Sequence, residues 1–327
     1  MNYSNDTPQI LRSFLTYHET SMGHSKKTVD EYYLDLRLYF RFLKIRKGLV
    51  PYDTPMEDIP IADVTIDLIA DTSLTDVYDY LSYLARDRER NGKSGLSATS
   101  RARKTASLRS FYKYLTNKAH LLSENPLAEL DSPKIIKTLP RYLTLEDSKK
   151  LLSAVDGRNR ERDFAILMLF LTCGLRISEL TGLNIGDISG DRLRVLGKGN
   201  KERIVYLSAS CLHALDDYLN LRRNIRGGDE RALFLSSRKD RISRSTVHSL
   251  VKKYLTSAGL DSSKYSSHKL RHTAATLMLH SGVDVRTLQE VLGHEHLNTT
   301  EIYTHIENQD LRDAARLSPL ADFEQDE

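Results

Sequence analysis

Apolar residues recur at every third or fourth position over most of the chain, which is the spacing of one face of an α-helix. In the first 131 residues this pattern predicts four helices, at residues 8–22, 29–43, 74–90 and 98–118. The intervening segment 49–62 contains three prolines, so we predict a loop there. The first part of the chain is therefore predicted to be an all-helical unit.

The second part of the chain combines helices with one hairpin. Thr144 and Asp147 predict the start of a helix through an approximate capping box, and residues 162–173 form an apolar helical segment. Residues 192–196 and 203–207 are predicted strands, with glycines at 197 and 199 in the turn between them. The pattern is then helical to about Leu317, before an acidic tail. The predicted fold class is therefore mainly α with a small β-hairpin or sheet (α+β).

A composition change separates the two parts. Residues 132–143 contain two prolines and three basic residues, which is typical of a linker. The full length of 327 residues also fits two domains of ordinary size. We predict a helical N-terminal domain at residues 1–131, a linker at residues 132–143 and a second domain at residues 144–327.

The composition excludes several classes of protein. Hydrophobic residues make up 40% of the chain and charged residues 28%, which argues against extended disorder. The longest apolar run, residues 164–171, is much shorter than the roughly 20 residues that cross a bilayer. The N-terminus has no signal-peptide pattern, and the chain has 2 cysteines, too few for a disulfide framework. We therefore expect a cytoplasmic protein.

The net charge of +4 is small, but one segment concentrates basic residues. Between Glu89 and Glu124 there is no acidic residue, and the basic residues are Arg90, Lys93, Arg101, Arg103, Lys104, Arg109, Lys113 and Lys118. Such a run is often just the solvated face of a helix. Because aromatic residues interleave with it, the helix could instead bury its aromatic side chains and present its cations to nucleic-acid phosphates.

Two short polar stretches in the second domain could carry chemistry. Arg176 and Glu179 follow the apolar helix and lie three residues apart, a spacing that also fits a local ion pair on a helix surface. Lys198 lies between two glycines at the predicted hairpin tip, where its ammonium could reach an anion. An ordinary polar turn is the alternative for the second stretch.

A third stretch combines histidine and arginine at a helix start. Ser266 or Ser267 can cap this helix, and His268 and Arg271 then lie one turn apart near its N-terminus, which favours an anion. His268 and His272 are also spaced as zinc ligands can be. However, the glutamate of metalloprotease motifs is missing and no third ligand is evident.

The fourth stretch surrounds a predicted helix end. Gly293 predicts the end of a helix, with His294 just beyond it. Asn298 and Glu301 form a capping box that places Tyr303 in the second turn of the next helix.

Taken in order, six residues of these stretches resemble the active-site set of the tyrosine recombinase (λ-integrase) family: Arg176, Lys198, His268, Arg271, His294 and Tyr303. The Leu-Gly-His segment ending at His294 and the Tyr-Thr-His segment starting at Tyr303 are similar to those of the bacterial Xer-type members. The likeness is strong from about residue 140 to 303 and looser over the first 130 residues. It implies a two-domain clamp around double-stranded DNA and site-specific recombination through a 3′-phosphotyrosyl intermediate.

The resemblance implies a role for each residue. Tyr303 would be the nucleophile, and Arg176 and Arg271 would hold the non-bridging phosphate oxygens. His268 would serve as acid or base, Lys198 would protonate the leaving 5′ oxygen, and His294 would donate to a phosphate oxygen. Glu179 would orient its neighbours. Neither metal nor ATP is required by such a mechanism. The predicted DNA contacts are Arg101, Arg103, Lys104, Arg109, Arg241 and Arg244.

Exchange of strands between two DNA sites implies a tetramer of protomers, with a partner recombinase or DNA translocase as a further possibility. Residues 307–317 resemble the terminal helix that such proteins dock onto a neighbour, although packing on its own chain is the alternative. Three other functions stay open at this point: a type IB topoisomerase, a DNA-binding regulator that keeps the fold without cleaving, and a zinc-dependent hydrolase.

Overall fold

The chain divides into two units, Met1–Lys137 and Thr138–Glu327. The structure is a computed structural model, and it describes residues 6–90, 93–131, 141–197, 201–225 and 227–293. In this part of the chain no helix has both the length and the apolar surface needed to cross a membrane. Most of the predicted linker, residues 132–140, lies outside the described residues.

The first unit is helical apart from one very short strand pair. Its helices are α1 (Gln9–Thr16), α2 (Lys26–Arg46), α3 (Ile66–Ala70), α4 (Leu74–Arg86) and α5 (Ala98–Asn117). Strands β1 (Glu89–Arg90) and β2 (Lys93–Ser94) pair antiparallel. The four predicted helices are confirmed, with shifted ends, and the short α3 was missed. The helix predicted to reach residue 90 ends at Arg86, because the chain turns into β1 there.

Packing of apolar helix faces holds the first unit together. Helix α2 buries Leu36 and Phe40, and α5 buries Leu108 and Phe111, all within one core. The buried hydroxyl groups of Tyr39 and Tyr112 are hydrogen-bonded at 3.1 Å, which satisfies polar atoms inside that core. The basic segment of α5 therefore sits on a helix whose other side is anchored in the core.

The second unit surrounds a small antiparallel sheet with helices. The helices are α6 (Leu145–Ser153), α7 (Arg160–Cys173), α8 (Ile177–Gly182), α9 (Ala209–Arg222), α10 (Arg244–Ser257), α11 (Ser267–His280) and α12 (Val285–Leu292). The strands are β3 (Ile188–Ser189), β4 (Arg192–Leu196) and β5 (Glu202–Tyr206), in the order β3-β4-β5. The predicted fold class, mainly α with a small sheet, is confirmed.

Helix α7 is the centre of the second unit's core. It is buried almost all round, as expected for a helix whose residues 164–171 are all apolar. Leu143 from the predicted linker is also buried in this core, and its backbone N–H donates to Thr273 Oγ1 at 3.0 Å. Thr144 caps α6 by accepting from the Asp147 N–H, as the sequence predicted.

Candidate active site

The site begins at the end of α7. Gly174 ends this helix with φ +59°, a left-handed conformation that favours glycine. A Cβ atom at this position would lie 2.6 Å from Leu292 Cδ2, so glycine also permits the close approach of α12. Two residues later, Arg176 occupies the position before α8, and its backbone N–H donates to Glu179 Oε2 at 2.8 Å.

Glu179 is the hub of the site. Its carboxylate accepts from Arg176 Nη1 at 2.8 Å and from Arg203 Nη1 and Nη2 at 2.9 and 3.0 Å. Burial by itself raises the pKa of Glu179, but the hydrogen bonds and charge of Arg203, together with Arg176, outweigh burial and hold the pKa below its usual value. The carboxylate is therefore ionised at neutral pH and fixes two guanidiniums.

Arg271 completes the arginine cluster from α11. It is 3% exposed, and its Nη1 lies 3.8 Å from Glu179 Oε2. It donates from Nη1 to the Gly174 carbonyl at 2.7 Å and from Nη2 to the Leu292 carbonyl at 2.6 Å. Arg176 also approaches the Leu292 carbonyl, with Nη1 at 3.5 Å, and its Nη2 donates to the Gly293 carbonyl at 3.2 Å. The two predicted clamp arginines thus converge on one oxygen atom.

The C-terminal end of α12 explains this convergence. The last carbonyl groups of a helix have no partner within the helix and carry partial negative charge. The helix starts at the Asp284 cap and ends at Gly293, which has φ +64°. The end at Gly293 agrees with the sequence prediction. Guanidinium groups that satisfy these carbonyls are arranged as they would be around a small anion.

His268 lies in the first turn of α11, three residues before Arg271. The predicted side-chain cap is wrong for Ser266, which precedes the helix without capping it, whereas Ser267 Oγ is hydrogen-bonded to His248 Nδ1 at 3.1 Å. Burial lowers the pKa of His268, and the positive charges of Arg271, Lys269 and Arg176 lower it further. The imidazole is therefore neutral at pH 7 and able to accept a proton.

His272 lies beside His268, with their Nε2 atoms 3.2 Å apart. These two atoms can share one proton, so the pair does not need a metal to hold it together. Among the residues that the structure describes, no cluster of three or more His, Cys, Asp or Glu side chains could hold a metal ion.

The structure therefore brings together four predicted site residues, Arg176, Glu179, His268 and Arg271. Lys198, His294 and Tyr303 lie outside the described residues. Sequence reasoning missed Arg203, although a signal was present. In the alternating strand β5, Arg203 is on the same side as the buried Val205, where an apolar residue is expected.

Among the predicted DNA contacts, Lys104 needs correction. Its side chain is buried and its ammonium donates to Asp35 Oδ1 at 2.6 Å, an acceptor 69 residues away in the sequence. Because the ammonium of Lys104 is bound to Asp35 inside the first unit, it is not available to a DNA phosphate, and Lys104 is removed from the predicted DNA contacts. Arg103 binds the same carboxylate but is still 47% exposed, and it also reaches Glu31.

The other predicted contacts differ in their surroundings. Arg241 braces the second unit, donating to the Leu183 carbonyl at 2.8 Å and to Asn184 Oδ1 at 2.6 Å while pairing with Asp229. Arg244, at the start of α10, is exposed. In α5, Arg101 is half-buried and donates to the Leu96 carbonyl at 3.0 Å, and Arg109 is also half-buried.

Known proteins are similar to this chain in sequence and in fold. Residues 141–310 match the model of the phage integrase family. The chain is 52% identical over 315 residues to the tyrosine recombinase XerC of Caldanaerobacter subterraneus subsp. tengcongensis, covering 96% of this chain and 88% of that protein. A crystal structure of the XerH site-specific recombinase bound to its difH substrate, in a pre-cleavage complex, has a TM-score of 0.66 at 22% identity and covers 94% of this chain and 84% of that one.

A λ integrase tetramer bound to a Holliday junction is also similar in fold. Its TM-score is 0.58 at 21% identity, and the match covers 92% of this chain and 78% of that one. The matched region of the family model includes all six residues on which the sequence resemblance depends.

Proposed function

Because the chain belongs to the phage integrase family of tyrosine recombinases, we propose that Tyr303 cuts and rejoins duplex DNA at specific sites through a 3′-phosphotyrosyl bond. The observation that carries this proposal is the convergence of Arg176 and Arg271 on the Leu292 carbonyl oxygen. Two guanidiniums that reach one oxygen atom can hold the two non-bridging oxygens of one phosphate.

The first chemical step is an in-line displacement at phosphorus. The hydroxyl oxygen of Tyr303 forms the new P–O bond, and His268 takes the phenolic proton. Negative charge grows on the non-bridging oxygens, and Arg176 and Arg271 stabilise it without exchanging protons. His294 donates a further hydrogen bond to one of these oxygens. Glu179 keeps the two arginines in place through its hydrogen bond to Arg176 and its ion pair with Arg271.

The same step breaks the bond between phosphorus and the 5′ oxygen. Lys198 gives its proton to this oxygen, so a neutral 5′-hydroxyl leaves. Because the phosphotyrosyl ester retains the energy of the original phosphodiester, a 5′-hydroxyl of the partner DNA can reverse the step without ATP. No cofactor enters the reaction, and chelators should leave it unchanged.

Residues 1–131 and 144–327 would then grip the DNA as two halves of a clamp, with Arg101, Arg103, Arg109, Arg241 and Arg244 as DNA contacts. Exchange between two sites requires four cleavable strands, so we propose a cyclic homotetramer with residues 307–317 docked on a neighbouring protomer. The reaction would then take place on cytoplasmic, nucleoid-associated DNA.

The test is covalent capture. Genomic fragments retained by the purified protein are sequenced to obtain its site, and a duplex of that site is nicked close to the cleavage position so that the short product diffuses away. The wild-type chain is expected to form an adduct that resists denaturation and is removed by protease. A topoisomerase would in addition relax supercoiled plasmids that lack the site, and a non-cleaving regulator would bind the site without any adduct.

A salt titration tests the proposed DNA contacts of α5. Each phosphate contact contributes about 0.9 to the slope of log affinity against log salt concentration through counterion release. Arg101→Gln and Arg109→Gln should therefore each lower the magnitude of the slope by about 0.9. Lys104→Gln is the matched control on the same helix, because its ammonium is bound to Asp35.

The Lys104→Gln variant should be less stable than wild type, but its slope of log affinity against log salt concentration should be unchanged. The variant loses one charged hydrogen bond to Asp35, which costs about 1.5–3 kcal/mol of unfolding free energy, while Arg103 still pairs with the carboxylate. A slope that changes in Lys104→Gln but not in the two arginine variants would reverse this assignment.

A further inference from the structure

We propose that Arg203 is a positioning residue of the cleavage reaction. Its side chain attaches the hairpin that contains Lys198 both to Glu179 and to the end of α12. This inference rests on the proposed function, because it gives Arg203 a part in the same transesterification. It goes beyond the six residues of the resemblance, which include no residue of β5.

Three donor atoms of Arg203 are used at once. Nη1 and Nη2 bind both oxygens of the Glu179 carboxylate, at 2.9 and 3.0 Å, and Nε donates to the Val291 carbonyl at 3.0 Å. The side chain is 13% exposed. A planar guanidinium can make this fork together with a third bond, whereas the single ammonium of lysine cannot match the geometry.

The backbone of Arg203 is part of the hairpin. Arg203 in β5 is paired with Val195 in β4, and the Gly197 N–H donates to the Lys201 carbonyl at 2.8 Å. A Cβ atom at Gly197 would lie 3.8 Å from Arg203 Nη1 and 3.8 Å from Glu179 Oε1. The residue immediately before Lys198 thus rests against the ion pair of Arg203 and Glu179.

The end of α12 approaches Arg203 equally closely. A Cβ atom at Gly293 would lie 3.0 Å from Arg203 Cδ and 3.2 Å from its Nη1, closer than an ordinary contact. Glycine at this position therefore serves two purposes, the left-handed turn and the approach of Arg203. Since Gly293 directly precedes His294, one side chain connects the chain next to Lys198 with the chain next to His294.

This arrangement assigns Arg203 a specific effect on the reaction. If the hairpin is held by Arg203, the loss of the fork displaces Lys198 from the leaving oxygen while the DNA is still bound. Proton transfer to the 5′ oxygen then becomes the deficient step. Arg203→Lys keeps a positive charge next to Glu179, so it removes the fork without leaving a buried carboxylate unpaired.

The experiment compares single-turnover cleavage by wild type and Arg203→Lys on two nicked duplexes of the site. One has the natural phosphate, and the other has sulfur in place of the bridging 5′ oxygen. We expect Arg203→Lys to cleave the natural duplex about 100-fold more slowly, as misplacement of a reacting group by about 1 Å does. Its DNA affinity should stay close to that of wild type, and its melting temperature should fall only slightly, because the Val291 carbonyl loses its donor but Glu179 keeps a positive partner.

On the sulfur duplex we expect Arg203→Lys to recover most of the lost rate. A thiol, with a pKa of about 8.5 in cysteine, leaves as the anion and needs no proton from Lys198. Arg194→Lys is the matched control in β4, because Arg194 pairs with Asp187 on the exposed face of the same hairpin. This variant should cleave both duplexes at the wild-type rate.

The possible failures can be told apart. An unchanged rate for Arg203→Lys on the natural duplex overturns the positioning role alone. A slow rate that sulfur does not restore overturns the connection to leaving-group protonation, and a rate loss that merely follows a lower melting temperature shows a structural brace. Absence of any adduct with wild type on both duplexes overturns the proposed function, and the inference with it.

Discussion

Tyr303→Phe is expected to abolish covalent capture of DNA while leaving binding intact. The variant retains the aromatic ring and lacks the single oxygen that forms the phosphotyrosyl bond. Removal of a nucleophile from a catalytic group of this kind lowers the rate by more than about 10⁴-fold, so no adduct should be visible on the nicked duplex. The measurement is a denaturing gel of protein and labelled DNA over a time course from seconds to hours.

Two controls make this result decisive. DNA affinity of Tyr303→Phe should stay close to that of wild type, because the proposed phosphate contacts that hold the DNA come from basic side chains. A matched variant, Tyr206→Phe, removes the hydroxyl of an exposed tyrosine on β5 and should form the adduct normally. A persistent adduct in Tyr303→Phe would move the nucleophile to another side chain and contradict the proposed mechanism.

The local elements of the site were predictable because their signals lie within a few residues. The His268 and Arg271 spacing, the helix end at Gly293 and the pairing of Arg176 with Glu179 all depend on one helical turn. The fold class was predictable for the same reason, since periodicity and turn residues define each helix and the hairpin locally.

Long-range partners were not predictable from these patterns. Lys104 was predicted to be a surface cation. Its partner, the Asp35 carboxylate, lies in another helix 69 residues away in the sequence and could not be identified from local patterns. Arg203 was predicted only as the first residue of a hairpin strand, because its partners are distant in the sequence: Glu179 is 24 residues before it and Val291 is 88 residues after it. Charge in a sequence shows which groups need partners, but the fold decides whether those partners are phosphates or carboxylates.

The shared carbonyl of Leu292 also suggests how the free site stays ordered. Arg176 and Arg271 both approach the Leu292 carbonyl, so their like charges would repel each other without an anion between them. Glu179 and the carbonyls at the end of α12 supply negative charge in its place. If this cluster binds the phosphate as proposed, it is preorganised before any DNA arrives, which lowers the reorganisation needed in the transition state.

The second large effect on cleavage is expected for Arg271→Ala. Loss of one donor to the transition-state oxygens should reduce single-turnover cleavage by more than about 100-fold. DNA affinity should change far less, because many other cations share the contacts to the backbone. Arg271 is buried, so its removal also leaves the Gly174 carbonyl without a donor and leaves the Leu292 carbonyl with only the longer bond from Arg176, at a cost of about 1–3 kcal/mol in stability.

Stability and catalysis are separated by comparing Arg271→Ala with Arg176→Ala. The Arg176 side chain is 34% exposed and that of Arg271 is 3% exposed, so the Arg176 variant should lose much less stability. Both should lose cleavage to a similar extent if both hold the phosphate.

Arg223→Ala, at an exposed position after α9, is the matched control for charge and should retain activity. Cleavage rates and salt-dependent affinities of the variants are measured below their melting temperatures. Equal losses of affinity and cleavage would show that the two arginines only anchor DNA, whereas a large loss of cleavage at nearly constant affinity is what a clamp on the transition state requires.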